Sequence, residues 1–290
     1  MNNTADNRRP SFEYNRFADL FYYLLAHMPV DNAADVSDPE YAAEMREKLG
    51  ASPEIPQEVI DYYGEHFDRV MIVDFFALVV PDAEAFKGSL ASCGMLTEED
   101  MNAFVDPLVR ICNGISGKFY PWWEEHHAKM TAQRAEKVYG RFRELTERFG
   151  RFFDGLGMEG NVLFSYSLRK NGRAFNQPGT ITVYLTFPEK DEQMTGCFLQ
   201  YLHECTHSVT DPMMNRNIQM ADGSHDIAEY QVLCFDEYLI DALCPELAGT
   251  YREWIGGEYL DYSHKALGEA GEARLKERLK EMLTTDKRGT

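Results

Sequence analysis

The segment Gln200–Pro212, QYLHECTHSVTDP, sets His203 and His207 four residues apart, with Glu204 directly after the first histidine. Its flanks decide its conformation. Met194, Phe198, Tyr201, Leu202, Cys205 and Val209 recur at spacings of three and four, the pattern of a helix with one buried face. On such a helix His203 and His207 lie one turn apart and point the same way. Two imidazoles on one face can hold one metal ion. Glu204 is rotated by about 100° around the axis, which suits it to proton transfer rather than to ligation beside both histidines. This is the logic of H-E-x-x-H, two ligands and one general base on one rigid element. The chemistry it points to is metal-assisted hydrolysis, with the carboxylate taking a proton from the attacking water.

A catalytic zinc usually keeps three protein ligands and one open position. The residues after His207, Ser208 to Met213, do not continue as H-x-x-G-x-x-H, so the third ligand must come from elsewhere. Asp226–Pro245, DIAEYQVLCFDEYLIDALCP, runs from a candidate cap at Ser224 to a proline stop. Its middle is apolar nearly all round, which predicts a central, buried helix. Glu237 and Asp241 lie one turn apart in it, and carboxylates in apolar surroundings need a cation or a donor. A metal ion for Glu237 and an imidazole N–H for Asp241 would satisfy both.

HECTH followed by Asp236-Glu237-Tyr238-Leu239-Ile240-Asp241 resembles the gluzincin metallopeptidases, the thermolysin-like group, over residues 203–241. The resemblance implies one Zn2+ per chain held by His203, His207 and Glu237, Glu204 as general base, and Asp241 as partner of a ligating histidine. Glu229 is the rival third ligand: its distance from His207 is nearer to that in thermolysin, but the residue four later is Leu233 rather than an acid. The group also implies a strand ahead of the histidine helix that lines the cleft. Thr180–Pro188, TITVYLTFP, stands there, and a free edge on it would pair with an extended peptide substrate. An oxyanion donor is needed as well, and His225, Tyr259, Tyr262 and His264 are the downstream candidates, with His225 a minor alternative ligand.

Outside this motif the chain reads as mostly helical α+β, a helical region over 1–154 followed by a zincin-like region over 155–290. Helices are expected over Pro39–Gly50, over Pro56–Val80 with a break at Gly64, over Thr97–Ile115 behind a Thr97/Asp100 capping box, and over Trp122–Gly150. Asn161–Lys170 and Thr180–Pro188 are rich in β-branched and aromatic residues and read as strands. Gly157–Asn161 reads as a glycine-rich turn, and the His126-His127 pair as part of a solvated helical face. A net charge of −19 argues against a nucleic-acid partner. The apolar stretch Phe17–Met28 contains Asp19 and is too short to span a bilayer, and no secretory cleavage signal follows it. The six cysteines form no C-x-x-C pair and read as reduced thiols, so a cytoplasmic location is expected. A metallopeptidase is the leading reading. The competing one is a catalytically inactive zincin-like protein that binds a partner through its helices.

Overall fold

The computed structural model describes residues 10–28, 39–50, 52–168, 172–213 and 227–284. Strand β1 (Ser11–Glu13) leads into α1 (Arg16–Leu25), whose first turn is capped by the Asn15 side chain accepting from the Phe17 and Ala18 amides. Helices α2 (Pro39–Leu49), α3 (Gln57–Glu65), α4 (Phe67–Val70), α5 (Ile72–Phe76) and α6 (Ala83–Cys93) follow. The break expected at Gly64 falls two residues later, at His66, whose φ of −119° leaves the helical region. The capping box is present at α7 (Glu98–Asp100): Thr97 accepts from the Asp100 amide and Asp100 accepts from the Thr97 amide. After a π-helical turn at Met101–Val105 comes α8 (Asp106–Arg148). It continues through Pro121 where two separate helices were expected. Phe119 and Trp123 are buried on either side of the proline, and their packing holds the helix across the missing N–H.

Helix α9 (Gly150–Leu156) leads to β2 (Glu159–Ser165), β3 (Arg173–Gln177) and β4 (Thr180–Thr186). The sheet order is β1-β2-β4-β3, parallel except for the antiparallel β3–β4 pair. The TITVYLT strand is therefore interior, paired on both edges, and the outer edge on that side belongs to β3. Its sequence, RAFNQ, is short and half polar, which hid it from the pattern of β-branched residues. Pro178 and Gly179 join β3 to β4, with Gln177 paired to Thr180; Gly179 has φ of +82°, where a side chain would be strained. The turn expected around Asn171 lies at the margin of the described residues, since Asn171 is outside them.

Helices α10 (Gln193–Thr210), α11 (Ile227–Leu243), α12 (Ala248–Ile255) and α13 (Gly257–Thr284, kinked at Gly268) complete the chain. The apolar stripe of α10 is buried as its periodicity requires. Gly160 shows how the helix sits on the sheet. A Cβ there would fall 2.2 Å from the Tyr201 hydroxyl, so the expected turn residue is a strand residue that makes room for Tyr201. The architecture is mostly helical α+β with one small mixed sheet, and no helix among the described residues is long and apolar enough to cross a membrane.

The core has two lobes. One gathers α1, α3, α5 and α6 with the first half of α8; the other gathers β2, β4, α10, α11 and α13 with the second half of α8. Along α8 the change of lobe falls between Trp123 and Val138. Asp19 ties the lobes together. It is fully buried on α1 and accepts from Trp123 Nε1 (2.5 Å), Tyr184 Oη (2.5 Å), the Tyr166 amide (3.4 Å) and Ser165 Oγ. Burial pushes its carboxyl up, and the hydrogen bonds from Ser165, Tyr184, Trp123 and Tyr166 pull the other way.

Replacing this acceptor leaves buried donors without partners, at roughly 1–3 kcal/mol each. Asp19→Asn, which turns one acceptor into a donor facing donors, is expected to lower the unfolding free energy by about 3 kcal/mol or more. Urea denaturation reads the change; a loss below about 1 kcal/mol would contradict the role assigned to Asp19.

Candidate metal centre

His203 and His207 project from one face of α10, their ring centroids 4.9 Å apart. His203 is 6 % exposed, and its Nδ1 lies 2.9 Å from Oδ2 of Asp236, itself 1 % exposed on α11. A carboxylate only accepts, so Nδ1 carries a proton and Nε2 is the nitrogen turned into the cleft, able to ligate a cation in place of its own proton. His207 Nδ1 lies 3.1 Å from Asp211 Oδ1 in the same manner. Facing the two Nε2 atoms is Glu229 in the first turn of α11, its carboxylate oxygens 3.7 Å from His203 Nε2 and 4.0 Å from His207 Nε2. One ligand atom from each of His203, His207 and Glu229 lies within 4.8 Å of the others.

Helix geometry explains why Glu229 and Asp236 act together. At 3.6 residues per turn, seven residues return to within about 20° of the starting direction, whereas eight overshoot by about 80° and twelve by about 120°. Asp236 therefore shares the face of Glu229. Glu237 and Asp241 do not. The Glu237 carboxylate is 2.8 Å from Arg252 Nη1 and 2.6 Å from His264 Nε2, in a network that includes Asp261 and Glu272. Asp241 is exposed. The carboxylate that faces the two imidazoles is thus the rival Glu229 rather than Glu237, and the one hydrogen-bonded to His203 is Asp236 rather than Asp241.

The site is built for positive charge. Burial alone would make His203 less basic, but the Asp236 hydrogen bond and the charges of Asp236, Glu229 and Glu204 push it up to about 9. His207 is likewise raised, as Asp211 and Glu204 outweigh burial and the neighbouring His203. Surroundings that favour a proton favour a metal cation for the same reason. Two imidazole nitrogens and a carboxylate converging from one side are also the donor set of His₂Glu zinc sites. The residues fit such an ion.

These groups open into a cleft of about 740 Å³. Glu204 lines it with its Oε1 2.9 Å from Gln200 Nε2. Edge strand β3 supplies Arg173, Ala174 and Asn176; α12 supplies Trp254, whose ring is 6.3 Å from His203; and Met71 and Phe75 reach in from the helical lobe. Of the oxyanion candidates, Tyr259 lines the cleft and is 40 % exposed. Tyr262 packs against Tyr230 outside it, His264 is held by Glu237 and Glu272, and His225 lies outside the described residues. The His126-His127 pair is stacked on Trp122 and Trp123 rather than solvated. Cys234, His264 and Glu272 form a second cluster with suitable atoms. There both His264 nitrogens already face carboxylates, and burial pushes the Cys234 thiol away from the thiolate form.

No protein-family model, curated protein or solved structure matches this chain.

Elemental analysis after zinc loading should give about one metal per chain, lost or strongly reduced in His203→Ala, His207→Ala and Glu229→Ala and kept in Glu237→Ala. Retention in Glu229→Ala with loss in Glu237→Ala would reverse the assignment. Asp236→Asn, which removes the charge that orients His203, is expected to weaken metal affinity by roughly 10–100-fold.

Proposed function

We propose that the chain is a zinc-dependent peptidase with a zincin-like catalytic region, hydrolysing peptide bonds in the cleft between β3, α10 and α11. The observation that carries this reading is the convergence of His203 Nε2, His207 Nε2 and the Glu229 carboxylate on one side of an open cleft, beside Glu204. A divalent ion held by these three side chains supplies Lewis acidity to the scissile carbonyl and to an attacking water.

The protein's own groups do the rest. Asp236 and Asp211 hold the histidine rings by Nδ1 and keep both Nε2 atoms turned inward. Glu204 takes the proton from the water as it adds to the carbonyl carbon, then delivers it to the departing nitrogen as the C–N bond breaks. Gln200, one turn before it on α10, donates to Oε1 and fixes the direction of the carboxylate. The outer edge of β3 is suited to hold an extended substrate by backbone pairing, which sets the scissile bond beside α10. Tyr259 is the candidate on the cleft wall to donate to the developing oxyanion. All six cysteines are free thiols, which is compatible with the reducing compartment where we place this activity.

Glu204→Gln keeps the size of the side chain and its contact with Gln200 while removing the base. General base catalysis is worth roughly 10²–10⁴-fold, so the variant should bind zinc as the wild type does and cleave a peptide library at least about a hundredfold more slowly. Equal cleavage by variant and wild type would refute the mechanism.

A further inference from the structure

Arg173, the first residue of β3, stands apart among the cations of this chain. It is the one lysine or arginine among the described residues lining the cleft, whose other charged side chains there are Glu204, Asp211 and Glu229. Several other arginines are matched to carboxylates at short range: Arg69 to Asp100 at 2.7 Å, Arg134 to Asp191 at 2.8 Å, Arg252 to Asp261 at 2.6 Å. Arg173 has no such ion pair among the described residues. Its guanidinium donates from Nη1 to the Gly172 carbonyl at 2.9 Å. In a protein with 48 acidic and 29 basic residues, a half-buried arginine on the cleft wall, without a carboxylate at short range among the described residues, is placed to receive one from a ligand. A guanidinium presents five donors in a planar fork that matches a carboxylate.

Its surroundings define what faces it. Phe175, two residues on and on the same side of β3, packs edge-on against Phe76 of the helical lobe at 5.5 Å. Arg173 therefore lies where the strand meets α5, beside the Met71 and Phe75 side chains that wall the cleft. Close enough to feel its charge is Asp74, 2 % exposed, whose Oδ1 has no hydrogen-bond partner among the described residues. Burial pushes that carboxyl up to about 7, with the charge of Arg173 and the Tyr63 hydroxyl pulling it back.

We infer that Arg173 is a specificity-determining residue that pairs with a carboxylate of the peptide bound along β3, so that the substrates are acidic peptides or peptides with a free C-terminus at that position. This rests on the peptidase reading of the neighbouring site. The two sources of the carboxylate, side chain or chain end, share one chemistry and are separated by the choice of peptides.

The test uses zinc-loaded full-length protein and matched peptide pairs: Glu against Gln at each position around the cleaved bond, and free acid against C-terminal amide. The wild type should favour the acid member of at least one pair by about tenfold or more in kcat/KM, a ratio equivalent to roughly 1.4 kcal/mol. The pair that shows it identifies the source. In Arg173→Gln the ratio should fall to about one, and in Arg173→Lys, which keeps the charge and loses the fork, to an intermediate value. Thermal unfolding and zinc content establish that each variant is folded; if Arg173→Gln is not, Arg173→Lys carries the test. A wild type that cleaves every pair without preference, or an Arg173→Gln that keeps the preference, overturns this inference and leaves the peptidase reading standing. A wild type that cleaves nothing overturns the peptidase reading instead. Calorimetry of the same peptides on Glu204→Gln, with and without Arg173→Gln, then decides the arginine: an affinity gap that vanishes with Arg173 supports it, and equal affinities refute it.

Discussion

The hydrogen bond from His203 Nδ1 to Asp236 is the interaction on which the site depends. It joins the two central helices, α10 and α11, at a point where both partners are almost fully buried. It fixes which histidine nitrogen faces the cleft. It also sets the rotation of α11, because Asp236 can reach His203 only when the face seven residues earlier, that of Glu229, is turned toward the same imidazoles. One buried contact therefore brings Glu229, the third member of the cluster, to the two histidines. The apolar surroundings that make the pair costly to leave unmade, with Val232, Leu233, Phe235 and Leu239 all buried around it, are what make the arrangement singular.

The rest of the molecule holds that pair of helices in place. Tyr201 seats α10 on the sheet through the space left by Gly160, and Tyr251 of α12 closes over α11 by donating to the Leu233 carbonyl at 2.9 Å. On the far side, Asp19 gathers donors from α8, β2 and β4 and locks the helical lobe against the sheet. That lock has a consequence at the cleft. The helical lobe contributes Met71 and Phe75 to the wall opposite the histidines, so the shape of the cleft depends on packing far from its chemistry.

How much of this was legible in the sequence depended on the range of the signal. The histidine helix, its buried stripe and the convergence of His203 with His207 followed from local periodicity, and α10 forms as that periodicity requires. The strands rich in β-branched residues were legible for the same reason. The carboxylate that joins the two histidines was not. Choosing between Glu229 and Glu237 turned on a motif with an acid four residues later, whereas the face that meets α10 is set by the tertiary packing of α11. A spacing of seven, Glu229 to Asp236, was the signal that could have found it. Strand β3 and its Arg173 were missed because a short, half-polar edge strand carries little hydrophobic pattern, and its place is fixed by pairing with β4. The unbroken α8 was missed because a proline argues locally for a break, and only the burial of Phe119 and Trp123 overrides it.

The central claim is that one divalent ion is held by His203, His207 and Glu229 with a position left open. X-ray absorption spectroscopy at the zinc edge of the stoichiometrically loaded protein addresses it directly. The account predicts only nitrogen and oxygen scatterers at about 2.0–2.2 Å, imidazole outer-shell features from two rings, and no sulfur. A sulfur scatterer at about 2.3 Å would place the ion with Cys234, His264 and Glu272 instead and would contradict the account.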